Sequence, residues 1–127
     1  MDTLKKGIDK TSVEGYRTYR YNSIDARTGE LISEGFTYSG KVFSFSENAQ
    51  NNLLGTYSAK ELLTYPFTWN IKDNSETYNI ADATEMATFF MTALAAKKAH
   101  QDSGTALKTL IRDAVDITAM KLIIDNR

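Results

Sequence analysis

The apolar positions of this chain change their period several times, and each change predicts an element. Before Tyr16 they are sparse. Leu4, Ile8 and Val13 stand among polar neighbours, and although Leu4 and Ile8 would share a helical face, the segment is too short to hold a helix alone. Residues 1–15 are therefore expected to form an N-terminal arm. From Tyr16 two periods compete. Alternation puts Tyr19, Tyr21 and Ser23 on one face, with Thr18, Arg20, Asn22 and Ile24 on the other. A helical period would instead group Tyr16, Tyr19 and Ser23. The Thr28-Gly29 pair, between Ile24-Asp25-Ala26 and Leu31-Ile32, favours strand, turn, strand over 16–34.

Alternation continues through Phe36-Thr37-Tyr38 and Lys41-Val42-Phe43-Ser44-Phe45, which flank Ser39-Gly40 and predict a hairpin. Gly40 supplies the positive φ such a turn often requires. Ser46 is the expected N-cap of a helix over Glu47–Leu54, stopped at Gly55. Ser58-Ala59-Lys60-Glu61 has capping-box spacing and predicts a second short helix, closing a hairpin–helix unit over 36–64. After Pro66 the same order returns over 67–113. Phe67-Thr68-Trp69-Asn70-Ile71 alternates, Lys72-Asp73-Asn74-Ser75 turns the chain, and Thr77-Tyr78-Asn79-Ile80 comes back.

Asp82 and Glu85 then make a capping box, and a stripe from Met86 through Phe90, Ala93, Lys97, His100, Gly104, Leu107 and Ile111 to Ala114 alternates steps of four and three. One helix over 83–113 is the first reading; a helical hairpin broken at Asp102-Ser103-Gly104 is the second. A terminal helix is expected over 116–124, with Ile117, Met120 and Ile124 facing inward. The class is α+β: antiparallel hairpins followed by helices, with a long C-terminal helix and an N-terminal arm. Residues 16–127 are expected to form a single body, with Phe43, Phe45, Trp69, Phe90 and Leu107 in its core.

Composition narrows the function more than the fold. The 15 Lys+Arg against 16 Asp+Glu leave a net charge of −1, so no broad basic field exists to hold nucleic acid, and no nucleic-acid partner is expected. The absence of cysteine excludes disulfides and thiolate metal sites. The apolar run Met86–Ala96 is too short to span a bilayer, and Met1–Lys6 does not open a secretory leader, so no membrane partner is expected.

Candidate chemistry is thin. His100 is the single histidine, so no histidine pair can hold a metal and only one base exists for a Ser-His-Asp set. It falls on the apolar stripe and reads as a packed residue. Asp73 and Asp82 occupy a turn and a helix start, Glu85 belongs to the capping box, and no glycine-rich phosphate loop is present. No catalytic residue, metal or cofactor is expected. Tyr16, Tyr19, Arg20 and Tyr21 interleave rings with a cation. They are the residues expected to contact a partner, because Tyr and Arg are enriched at protein interfaces.

Trp69-Asn70-Ile71-Lys72-Asp73-Asn74-Ser75, followed by Ala83-Thr84-Glu85-Met86, Lys98-Ala99-His100 and Leu107-Lys108, resembles a phage and prophage family labelled domain of unknown function 4376. Its members are typically encoded among phage tail genes, near tail-fibre genes or fused to them. The matching features are the Trp strand at Trp69, the turn at Asp73-Asn74, the polar cap at Asp82 and the Ala-rich helix bearing His100. The upstream segment Asp25–Gly40 also looks like the region preceding this domain in some members.

The resemblance implies a virion protein, tail- or tail-fibre-associated, made in the bacterial host cytoplasm. It would act by docking to other phage structural proteins, as a symmetric homo-oligomer or ring component. The alternatives are a tail-fibre assembly chaperone absent from the mature particle, and a capsid decoration or head-associated protein.

Overall fold

The computed structural model describes residues 8–127, so residues 1–7 of the expected arm lie outside the described residues, and the remainder leads into a helix that begins at Val13. The elements are α1 (Val13–Glu34), β1 (Phe36–Tyr38), β2 (Lys41–Phe43), α2 (Glu47–Ser58), a single 3₁₀ turn (Lys60–Leu62), β3 (Phe67–Asn70), β4 (Thr77–Ile80), α3 (Ala83–Asp113) and α4 (Ile117–Lys121). The α+β class stands, with two antiparallel hairpins and a long C-terminal helix. In place of the single body expected over 16–127, contacts divide the chain into two compact units. One gathers the described residues up to Gly29 with Gln101–Arg127, and the other is Glu30–His100.

The strand, turn, strand expected over 16–34 is incorrect: α1 runs through all of it as one helix. Buried or half-buried positions fall at Val13, Arg17, Tyr21, Ile24 and Thr28, a helical repeat that the alternating tyrosines obscure. Ser12 caps the start by accepting from Gly15 N–H at 3.0 Å. Thr28 does not open a turn. Its hydroxyl donates back to the Ile24 carbonyl at 2.9 Å, and Gly29 beside it is an exposed residue of the helix interior.

In the unit over 30–100 the first hairpin pairs Phe36 with Phe43 and Tyr38 with Lys41. Ser39 and Gly40 both have positive φ, 53° and 76°, as a two-residue turn of this hand requires. The second hairpin pairs Phe67 with Ile80 and Trp69 with Tyr78. The two remain separate two-stranded sheets. Both lay their aromatic faces against α3, where the fully buried Phe89 meets Phe36, Tyr38, Phe43 and Trp69 at centroid distances of 5.0–5.7 Å.

Helix α2 is capped by Ser46 as expected, but passes through Gly55 to Ser58. A helical glycine costs about 1 kcal/mol. Stacking of Tyr57 on Phe90 at 4.2 Å holds the last turn against that cost. Ser58 bonds back to the Leu54 carbonyl and caps nothing, which leaves only the 3₁₀ turn behind it.

In the other unit α3 continues past Ser103-Gly104 without a break. Ile24, Ile111 and Met120 form its buried centre, with Val13, Tyr16, Leu107 and Ile117 packed around them. Leu107 and Trp69 are thus partly buried core members, while Phe43, Phe45 and Phe90 are buried outright. The terminal helix is shorter than expected. It ends at Lys121, so Ile123 turns inward and Ile124 is 66% exposed.

Gly104 is buried because a Cβ there would stand 2.6 Å from Thr28 Oγ1 and 3.2 Å from the Arg127 guanidinium. Nothing lies within 4 Å of such a Cβ at Gly29. Gly104→Ala is therefore expected to lower stability by roughly 1–3 kcal/mol through overpacking, despite the better helix propensity of Ala. Gly29→Ala should raise it by about 0.5–1 kcal/mol. Chemical denaturation of both variants checks the opposite signs.

Candidate functional site

Tyr16, Tyr19, Arg20 and Tyr21 all lie on α1 in the unit that includes Gln101–Arg127, but they do not form one patch. At 100° per residue, Tyr16 and Tyr19 flank one side of the ridge centred on Ile24, and Tyr21 flanks the other. Tyr16 and Tyr19 are half-buried, with ring centroids 5.7 Å apart. The Lys10 ammonium sits 4.0 Å over Tyr19, and that of Lys121 is 5.9 Å from Tyr16. Tyr21 packs against the core and lines a shallow cleft with Asp25, Lys108 and Arg112.

Arg20 has a different task. Its guanidinium donates to the Met120 carbonyl at 2.7 Å, which also accepts from the Ile123 N–H, and to the Ile123 carbonyl at 2.5 Å just beyond the end of α4. Two more arginines on the same helix do likewise. Arg17 donates to the carbonyls of Ile111 and Ala114, and Arg27 donates through Nε and Nη2 to that of Arg127. Arg127 returns the contact, donating to Thr28 Oγ1, Ser103 Oγ and the Ile24 carbonyl. Its ion pair with Asp125, at 2.8 Å, holds that carboxyl below its ordinary value.

α1 thus clasps the C-terminal segment through backbone carbonyls. The signal was available in the sequence as Arg17, Arg20, Ile24 and Arg27, spaced three, four and three, but an alternating reading scatters them over two faces. Among the described residues the clasp exposes large apolar side chains on the pinned segment: Val115 at 82%, Leu122 at 79% and Ile124 at 66%.

The second polar cluster is in the other unit. Glu85 Oε2 accepts from Tyr38 at 3.0 Å and from Tyr78 at 2.5 Å, while Oε1 accepts from Ala81 N–H at 2.7 Å. The capping box is present, with Glu85 N–H donating to Asp82 Oδ1 and the return bond reaching one residue further back than usual. The Tyr78 hydroxyl, followed by that backbone bond, keeps the Glu85 carboxyl below its ordinary range. Burial, then Glu85, raises the Tyr38 phenol well above its own.

This arrangement fixes the entrance of α3 against both hairpins. It offers neither an open nucleophile nor a free base. His100 is half-buried on α3. Among the described residues no group of three or more His, Asp or Glu could hold a metal ion, and no helix is long and apolar enough to cross a membrane.

Geometry therefore defines a small α+β module whose polar clusters tie its elements together. The chain belongs to the family described as domain of unknown function DUF4376, whose model matches residues 16–125. No curated protein and no solved structure matches it.

Two outcomes follow. Arg20→Ala should free the C-terminal segment, seen as faster proteolysis after Lys121, and Arg20→Lys should not restore protection because an ammonium cannot replace the guanidinium fork. The Glu85 cluster sets two pH limits. A depressed carboxyl adds stability above its unfolded value of 4.5 that is lost as pH falls through the lower folded value. A raised phenol adds stability below its unfolded value of 10.0 that is lost as pH rises from there toward the folded one. Thermal midpoints should decline at both ends, and Glu85→Gln should flatten the acid limb.

Proposed function

We propose that this protein is a structural component of a bacteriophage virion, associated with the tail or tail fibre, that acts by protein–protein docking. The observation that carries the docking is the pinned C-terminal segment. The arginine clasp holds Val115, Leu122 and Ile124 in an ordered stretch and leaves them in water, and half-buried Tyr16 and Tyr19 belong to the same unit. Large apolar groups on ordered backbone cost little entropy to bury in an interface. Family membership and the tail-gene resemblance of the Trp69–Ser75 and Ala83–Lys108 motifs support the location. The partners are other phage structural proteins, and closed symmetry makes a homo-oligomer or ring the natural assembly.

Of the four contact residues first named, Tyr16 and Tyr19 keep that role in the proposal. Arg20 positions the segment beside them, and Tyr21 is partly committed to the core. The experiment is quantitative mass spectrometry of gradient-purified particles, with the copy number taken relative to the major capsid protein. A small symmetric number is expected. A number near that of the capsid protein would move the protein to the head, and presence only in infected-cell lysate would make it an assembly chaperone. Tyr19→Ser should lower incorporation several-fold while the isolated chain keeps its thermal midpoint; undiminished incorporation removes this surface from the docking.

A further inference from the structure

Strand β3 has one paired edge and one open edge. The Ile71 N–H donates to the Glu76 carbonyl at 3.2 Å, continuing the pairing of Trp69 with Tyr78 and Phe67 with Ile80. In an antiparallel ladder hydrogen-bonded pairs alternate with non-bonded ones, so the backbone groups of Thr68, Asn70 and Lys72 point away from β4. Lys72 N–H is met there by the Val42 carbonyl of β2 at 2.8 Å. Among the described residues that is the one backbone bond between the hairpins, which side chains also join through the Lys41–Glu76 ion pair and the Tyr78 ring against Tyr38 and Phe43. Among the described residues neither Thr68 N–H nor Asn70 N–H has an acceptor.

The space that opens is a groove of about 570 Å³, with β3 on one side and Ser44, Asn52 and Thr56 on the other. The side-chain amides of Asn52, Asn70 and Asn74 line it, and none is engaged in a hydrogen bond among the described residues. Its one charged lining residue is Lys72, whose ammonium gives one bond to the Glu34 carbonyl and retains two donors.

We propose that this groove binds an extended polypeptide segment of a partner protein, which adds to β3 as a strand. Thr68 and Asn70 present outward backbone groups about 7 Å apart, the repeat of an extended chain seen from one side. Three amides, each able to donate and accept, suit the peptide groups and small polar side chains of such a segment. The lone cation selects a carboxylate at the Lys72 end. A second copy of β3 cannot be the occupant, because its own open edge lies inside a groove walled by α2. The inference does not depend on a place in a virus particle, and absence from particles would leave it standing.

The test uses the full chain and a yeast-displayed library of random nine-residue peptides. In the free protein, Thr68 and Asn70 amides should exchange hydrogen quickly and those of Trp69 and Ile71 slowly. Peptides enriched on the wild type should alternate in pattern and carry a carboxylate. Once resynthesised, the tightest should protect the Thr68 and Asn70 amides and bind Asn70→Pro at least tenfold more weakly. Proline there removes only an outward N–H, which edge strands tolerate. Should that variant unfold, Lys72→Glu provides the comparison, with carboxylate-bearing peptides binding at least tenfold more weakly. Slow exchange of Thr68 and Asn70 in the free chain would overturn the proposal. So would equal enrichment on wild type and a folded variant, or protection confined to other residues.

Discussion

A two-stranded hairpin is marginal in water, because each strand has one partner and one face can find no cover. This protein has two such hairpins and does not merge them into a larger sheet. What stabilises both is a single ring. Phe89 on α3 is fully buried, and around it stand Phe36 and Phe43 from the first hairpin and Trp69 from the second, mostly in tilted or edge-on contact. Burying a phenylalanine contributes roughly 1.5–3 kcal/mol, and each well-disposed ring pair about 0.5–1.5 beyond that. Hydrogen bonding across one pair of strands cannot match it, since the net value per bond is about 1 kcal/mol. Glu85, one turn earlier on α3, adds direction by accepting from a tyrosine of each hairpin.

The other unit meets a similar shortage differently. Its fully enclosed centre is three side chains, Ile24, Ile111 and Met120. So small a core cannot itself order a C-terminal tail with only a five-residue helix. Arginines supply the remainder, because a guanidinium presents several donors in a fixed plane and the carbonyls at the helix ends can accept a second bond beside any backbone one. Arg127 then threads back to Thr28 and Ser103, and Gly104 is the small residue that lets it pass. The helix-weakening glycine of α3 is therefore a packing requirement of the clasp.

This division explains which parts of the fold were legible in the sequence. The hairpins, the Ser46 and Asp82 caps and the course of α3 rest on local chemistry, on turn residues and cap spacings that carry their meaning within a few positions. Helix α1 does not. Its tyrosines alternate for three residues, and its helical stripe is made of arginines, which a hydrophobic pattern does not count. The partners that fix those arginines are carbonyls about a hundred residues away, and no period in the sequence marks a carbonyl. The extension of α2 through Gly55 was hidden for the same reason, because it depends on Tyr57 meeting Phe90. Of the expected contact residues, Tyr16 and Tyr19 stayed together, whereas Arg20 was claimed by an intramolecular role that its neighbours in sequence do not reveal.

Both candidate contact surfaces lie where the chain has ordered more than it has covered. The clasp orders a segment whose apolar side chains remain in water, and the second hairpin orders a strand whose outward Thr68 and Asn70 N–H groups have no acceptor among the described residues. The two leave different things unmet. Val115, Leu122 and Ile124 call for apolar burial, which is tolerant of sequence and scales with area. Thr68 and Asn70 call for hydrogen bonds of fixed direction and spacing, which an extended backbone supplies. The two proposed surfaces would thus serve different kinds of contact, one broad and one directed. The entropy of ordering each surface has already been met by the fold, so little of the interaction energy of either contact is lost to that ordering.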